Sequence, residues 1–191
     1  SLGLMVRRLA ETIVREEMER TGAVEVELPI VQPRELWDET GRWKKYMSAG
    51  IAFHLTDRSK GDYILAPTAE EVITAFARNN VGTYRDLPVN FWQMSPKFRD
   101  EIRPRQGLVR GREFLMKDAY SFDADEVGMK ASYRAMEEAY ARVFTRCGFR
   151  FVKVEADPGA IGGSGSAEFM AVTEYGEDIL LVCPRCHYGG N

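Results

Sequence analysis

The residues best able to do chemistry lie between Phe98 and Phe122. From Phe91 to Glu101 the side chains alternate, with Trp92, Met94 and Phe98 on one side and Gln93, Ser95, Lys97, Arg99 and Glu101 on the other, the period of a strand with one core face and one polar face. Arg99 and Glu101 therefore share a face. A guanidinium fork binds phosphate through paired N–H bonds, a carboxylate accepts from an amino group such as that of adenine, and an aromatic ring such as Phe114 stacks on a base. With Arg103, Arg105 and Arg110 in the following loop, the set suits a nucleotide. On spacing alone an equal alternative stands, in which Arg99 and Glu101 pair with neighbours on a solvated sheet and the loop arginines form a solvated turn.

A second constellation is Thr68 and Glu70 in the string Ala66 to Glu71. A hydroxyl oxygen and a carboxylate two residues apart can accept both N–H bonds of a secondary ammonium. Taken by itself, the short string favours a plainer reading, a helix capped by Thr68 with Glu70 and Glu71 in its first turn. The glycine-rich segment from Gly159 to Gly165 lets backbone approach a small ligand closely, or forms a flexible surface loop. Cys183, Cys186 and His187 have the spacing of half a zinc ribbon, but a tetrahedral site needs four ligands. No metal site is expected from these residues alone, and His54 reads as structural.

These groups need elements to hold them. Residues 3–21 form an amphipathic helix, with Val6, Ala10, Val14 and Met18 on one ridge and Met5, Leu9 and Ile13 beside it. A strand follows from Val24 to Pro29, then a short helix led by Pro33 and an irregular stretch around Gly41 and Gly50. Residues 52–56 and 63–66 read as a hairpin, and Thr68 to about Asn79 as a helix. Pro96 removes a ladder donor, so an edge position or a bulge is expected there. A second strand spans 112–123. A long helix spans about 125–147, its buried stripe marked by Met129, Tyr133, Met136, Tyr140, Phe144 and Cys147. Strands near 151–156, 168–173 and 179–182 complete the chain. Short turns between strands point to an α+β fold, an antiparallel β-sheet flanked by helices.

Composition narrows the functional classes. A hydrophobic fraction of 45% over 191 residues supports a substantial core and one globular unit, and argues against disorder. The formal charge of −3 argues against non-specific coating of nucleic acid, which needs many phosphate-neutralising cations. Three cysteines make no disulfide framework and suit a reducing, cytoplasmic setting. No apolar run reaches the roughly 20 residues of a membrane span.

Longer strings carry a family resemblance. Phe98-Arg99-Asp100-Glu101, followed by Ile102-Arg103-Pro104-Arg105 and then Arg112 to Phe122 (REFLMKDAYSF), closely resembles motif 2 of bacterial-type prolyl-tRNA synthetases, class II enzymes. The resemblance implies that Arg99 is catalytic, holding the ATP α-phosphate and the proline carboxylate. It implies further that Glu101 binds the adenine amino group, Arg110 the outer phosphates, and Phe114 the adenine face. Ala66 to Glu71 resembles the Thr-x-Glu loop that grips the proline imino group, making Thr68 and Glu70 proline-binding. Gly162 to Phe169 resembles the glycine-rich wall of the proline pocket, implying a role for Gly163 and Ser164. Here Ala167 stands where the family usually has His, which alters one wall and makes proline specificity less firmly implied than the class. The helix 3–21 with its following strand resembles motif 1, which in the family forms a dimer interface; an ordinary amphipathic helix on a core fits the segment equally.

The resemblance spans nearly the whole chain and implies a proline–tRNA ligase that uses ATP and Mg2+, with proline, ATP and tRNA(Pro) as partners and a homodimer as its assembly. It implies a catalytic core over 1–182, and in 183–191 the start of a segment leading into an editing insertion. Motif 3, with a second ATP-binding arginine, has no match here, so these residues by themselves are expected to be weak or inactive. The alternative is a non-catalytic synthetase-like domain that binds an amino acid or adenylate.

Overall fold

The computed structural model describes residues 1–105, 107–156, 163, 165, 166–174, 176, 178–185 and 188–190. Contacts group them into two compact units, where length alone suggested one: Gly22–Tyr133, and Ser1–Thr21 with Arg134–Asn191.

The Gly22–Tyr133 unit opens with β1 (Val24–Glu25), a strand shorter than its alternation suggested, and β2 (Val31–Pro33). Helix α2 (Arg34–Glu39) starts directly after Pro33 and is followed by a helix that the sequence reading took for irregular chain, α3 (Arg42–Ser48). Seven residues between two glycines are too few to display a helical period. The residue before α3 is Gly41, at φ +69°, a left-handed conformation that a side chain would strain. The hairpin of β3 (His54–Thr56) and β4 (Asp62–Leu65) forms as expected, and β2 adds to it in the order β2-β4-β3. Against this sheet the two short helices build a core of Trp37, Tyr46 and Ile64, with the Trp37 and Tyr46 rings edge-on at 5.1 Å.

Helix α4 (Glu70–Asn80) packs Ile73 and Ala77 against Leu28 and Phe91. Phe91 belongs to β5 (Val89–Phe98), which pairs antiparallel with β6 (Glu113–Phe122) in unbroken register from Val89 opposite Phe122 to Phe98 opposite Glu113. Pro96 sits opposite Leu115 with no bulge. It is tolerated because β1 pairs with β5 only at Phe91 and Trp92, so no partner strand on that edge calls for a donor from Pro96.

The other unit contains α1 (Leu2–Arg20), most of α5 (Glu126–Arg146), β7 (Phe151–Glu155), β8 (Ala167–Ala171), β9 (Leu181–Val182) and β10 (Gly189–Gly190). The strands form one sheet in the order β8-β7-β10-β9. Gly189 is required where β10 meets β7, since a Cβ there would lie 2.7 Å from Val154 Cγ1 and 2.9 Å from Val152 Cγ1. Phe144, Phe151 and Phe169 pack with centroids 5.5 to 5.7 Å apart. The fully buried positions of α5 are Ala139 and Val143 rather than the expected stripe, of which Met129 and Tyr133 are exposed. Tyr140 and Phe144 of that stripe pack against the Phe169 ring.

One buried carboxylate organises the α1 end of this unit. Glu17 is fully buried and accepts from Arg142 Nε at 2.6 Å, Arg146 Nη1 at 2.8 Å and Arg20 Nη1 at 3.1 Å. The hydrogen bond from Arg142, opposed by burial and reinforced by Arg146 and the charge of Arg20, holds its carboxyl at about 2.

Candidate active site

Three elements converge on the loop before α4. Residues 66–68 are buried, and the chain there is anchored by backbone bonds from Ala66 N–H to Ile30 O and from Phe98 N–H to Ala66 O. Arg99, the first residue past β5, donates from Nε to Pro67 O at 3.2 Å. The arginine expected at the reacting centre thus lies directly against the Thr68–Glu70 loop, and its guanidinium carbon is 5.5 Å from the Phe114 ring centroid, a cation–π contact. This brings together Thr68, Glu70, Arg99 and Phe114, all in the Gly22–Tyr133 unit.

Glu101 departs from the expectation. Strand β5 ends at Phe98 and Asp100 N–H turns to Ile51 O, so alternation no longer applies and Glu101 lies in the loop. There it accepts from Arg103 N–H at 3.2 Å and faces Arg110 Nε at 3.8 Å. Arg110 and Arg105 form an isolated antiparallel bridge across the loop. Gly163 belongs to the other unit and has φ +120°. Ser164 lies outside the described residues, as do Cys186 and His187. Among the described residues no group of three metal-ligating side chains occurs.

Thr68 is not the helix cap that its string suggested. The N-cap of α4 is Ala69, without a side-chain cap bond. Instead the Thr68 hydroxyl bonds the Glu70 carboxylate, and the next backbone N–H, that of Ala69, bonds the Tyr120 phenol oxygen at 3.2 Å. Both acceptors proposed for an ammonium group therefore stand side by side.

Sequence reasoning missed the residues that hold this loop. Arg42, on α3, donates from Nη1 to Glu71 Oε1 at 2.9 Å and to Glu70 Oε2 at 3.4 Å, and from Nη2 to the Tyr46 hydroxyl at 2.8 Å. It also packs over the Trp37 and Tyr46 rings. Burial works against its charge, but Glu71, Tyr46 and Glu70 more than offset that and raise its pKa. Gln32, fully buried, donates to Thr68 O at 3.3 Å and accepts from Trp37 Nε1 at 3.0 Å.

The polar face of β5 is also buried, contrary to its reading as a ligand or solvent face. Gln93, Ser95 and Lys97 are 2%, 9% and 0% exposed. Their charge balance comes from β6: Asp118 accepts from Lys97 Nζ at 2.8 Å, Gln93 Nε2 at 2.8 Å and the Tyr120 hydroxyl at 2.6 Å. Alternation marked these residues as polar; only cross-strand pairing showed that they satisfy one another.

Comparison with known proteins identifies the family. A proline–tRNA ligase of Syntrophus aciditrophicus is 57% identical over 190 residues, and one of Paraburkholderia xenovorans 55%; each match covers 100% of this chain and 32% of the relative. The chain thus spans about a third of the length of the curated relatives it matches. A solved structure, Giardia lamblia prolyl-tRNA synthetase in complex with prolyl-adenylate, shares the fold with a TM-score of 0.73 over 80% of this chain and 32% of that one, at 20% identity. Residues 53–187 match the tRNA synthetase class II core domain (G, H, P, S and T), and on that match, over most of its length, the chain belongs to the class II tRNA synthetase core family.

Proposed function

We propose that this chain is the part of a proline–tRNA ligase that binds proline and the α-phosphate of ATP. The observation that carries the reading is the bond from Arg99 Nε to Pro67 O. It places a fork suited to carboxylate and phosphate beside two acceptors suited to a secondary ammonium. In this reading Thr68 and Glu70 hold the imino group, while Arg99 holds the carboxylate and the α-phosphate. An oxygen of the proline carboxylate attacks the α-phosphorus in line, the bond to the bridging oxygen breaks, and pyrophosphate leaves. Such chemistry needs alignment and charge stabilisation more than proton transfer.

The residues present fit the nucleotide. Phe114 offers a ring face, Glu101 an acceptor for the adenine amino group, and Arg110 an exposed cation for the outer phosphates. Magnesium would neutralise those phosphates. The family resemblance assigns Gly163 and Ser164 to proline binding, residues 1–182 to the catalytic core and 183–191 to the start of a segment leading into an insertion; Gly189 and Gly190 pair with the sheet. The complete enzyme transfers proline to tRNA(Pro) in the cytoplasm as a homodimer.

Amino-acid-dependent ATP–pyrophosphate exchange by the full-length protein, run with each standard amino acid, tests the proposal. Exchange with proline alone is the expected result. Exchange with none would overturn it in favour of a non-catalytic domain binding an amino acid or adenylate, the reading that Ala167 at the start of β8 favours.

A further inference from the structure

The Tyr120 hydroxyl stands between two sets of partners that are far apart in the chain. It donates to Asp118 Oδ2 at 2.6 Å and accepts from the Ala69 backbone N–H, between Thr68 and Glu70, at 3.2 Å. A phenol has one proton to donate. Asp118 accepts that hydrogen at one carboxylate oxygen, and its other oxygen accepts from Lys97, which is fully buried and bonded to Ser95 as well. The phenol oxygen is thereby oriented as an acceptor toward the loop.

Thr68 also has one hydroxyl proton, which without substrate goes to Glu70. A secondary ammonium presents two N–H donors; the Thr68 oxygen keeps its lone pairs and the Glu70 carboxylate further acceptor sites while that bond stands, so both can accept if the backbone between them is held in place. Tyr120 holds it, at Ala69. We propose that Tyr120 is a positioning residue for amino-acid binding: held as an acceptor by its bond to Asp118, it takes the Ala69 N–H bond and so fixes Thr68 and Glu70, on either side of Ala69, where both accept from the substrate ammonium. The proposal rests on the reading of Thr68 and Glu70 as the proline-binding pair. No proton is transferred; the Ala69 bond only holds the loop that carries the two acceptors.

The test uses the full-length protein and its Tyr120→Phe variant, which removes one oxygen and keeps the ring. In proline-dependent exchange, KM for proline should rise about tenfold, the size expected from one hydrogen bond to a charged site, with KM for ATP unchanged and kcat little altered. Hydrogen exchange should show faster exchange of the Ala69 amide. Asp118→Asn, whose amide can donate to the phenol and reverse its role, should raise KM for proline in the same way. A proline KM within twofold of wild type in a folded Tyr120→Phe protein would overturn the proposal, as would equal losses toward proline and ATP, the mark of a merely structural role. Should the wild-type protein exchange with no amino acid, the functional reading fails; unchanged Ala69 exchange in the variant would then sink the positioning role separately.

Discussion

At the residue scale, the candidate site depends on a few charged groups whose partners are specific. Arg99→Gln keeps the size of the side chain and much of its polarity but removes the fork. In the full-length protein it should lower proline-dependent kcat/KM by a factor of about a hundred to a thousand, about 3 to 4 kcal/mol, as for a lost oxyanion donor. Arg42 is different in kind, because its principal partner Glu71 has a fully buried side chain. Arg42→Met strands that carboxylate and should reduce unfolding stability by about 3 kcal/mol. Adding Glu71→Gln should recover part of the loss, so a double-mutant cycle by urea denaturation would show strong coupling. Additive effects would mean that the two residues act independently.

At the element scale, two titrations report on packing. On β6, burial pushes Lys117 down to about 8 from 10.5, against the pull of Asp118. The folded state then binds fewer protons than the unfolded chain between those values, so stability should rise as pH increases from about 8 to 10.5. Lys117→Met should flatten that rise in urea titrations. Glu17, where α1 meets the arginines of α5, has the opposite sign. Its pKa lies at about 2 against 4.5, so its contribution is present above 4.5 and lost as pH falls toward 2. Glu17→Gln should remove about 2 kcal/mol at pH 7 and abolish this part of the acid dependence; an unchanged acid slope would count against the arginine cluster as its source.

At the scale of the whole molecule, the first half of α1 leaves Leu2, Met5, Val6 and Leu9 exposed, at 76%, 63%, 58% and 66%. An apolar row of this kind supports the proposed homodimer, with α1 of a second copy as its cover. Leu9→Asp should shift the full-length protein toward monomer in light scattering, and a dimer unaffected by it would place the interface elsewhere. Helices of this kind also explain why sequence periodicity succeeded. Helices α1, α4 and α5 and the β5–β6 hairpin each carry their apolar period within a single run of chain. Helix α3 does not, being seven residues long.

What the sequence by itself determined was local or carried in long strings: the α+β class, the amphipathic helices, the β5–β6 hairpin, and the motif strings that name Thr68, Glu70, Arg99 and Phe114. What tertiary structure decided was which polar groups meet. Alternation put Lys97 and Gln93 on a polar face, but only pairing with Asp118, 21 and 25 residues away, made that face a buried network. A cap was the natural reading of Thr68. Its actual neighbours depend on Tyr120, bonded to Ala69 across 51 residues, and on Arg42, bonded to Glu71 across 29. A one-dimensional pattern records which side chains can share a face of one element. It does not record which elements the chain folds together, and buried hydrogen bonds are satisfied between elements.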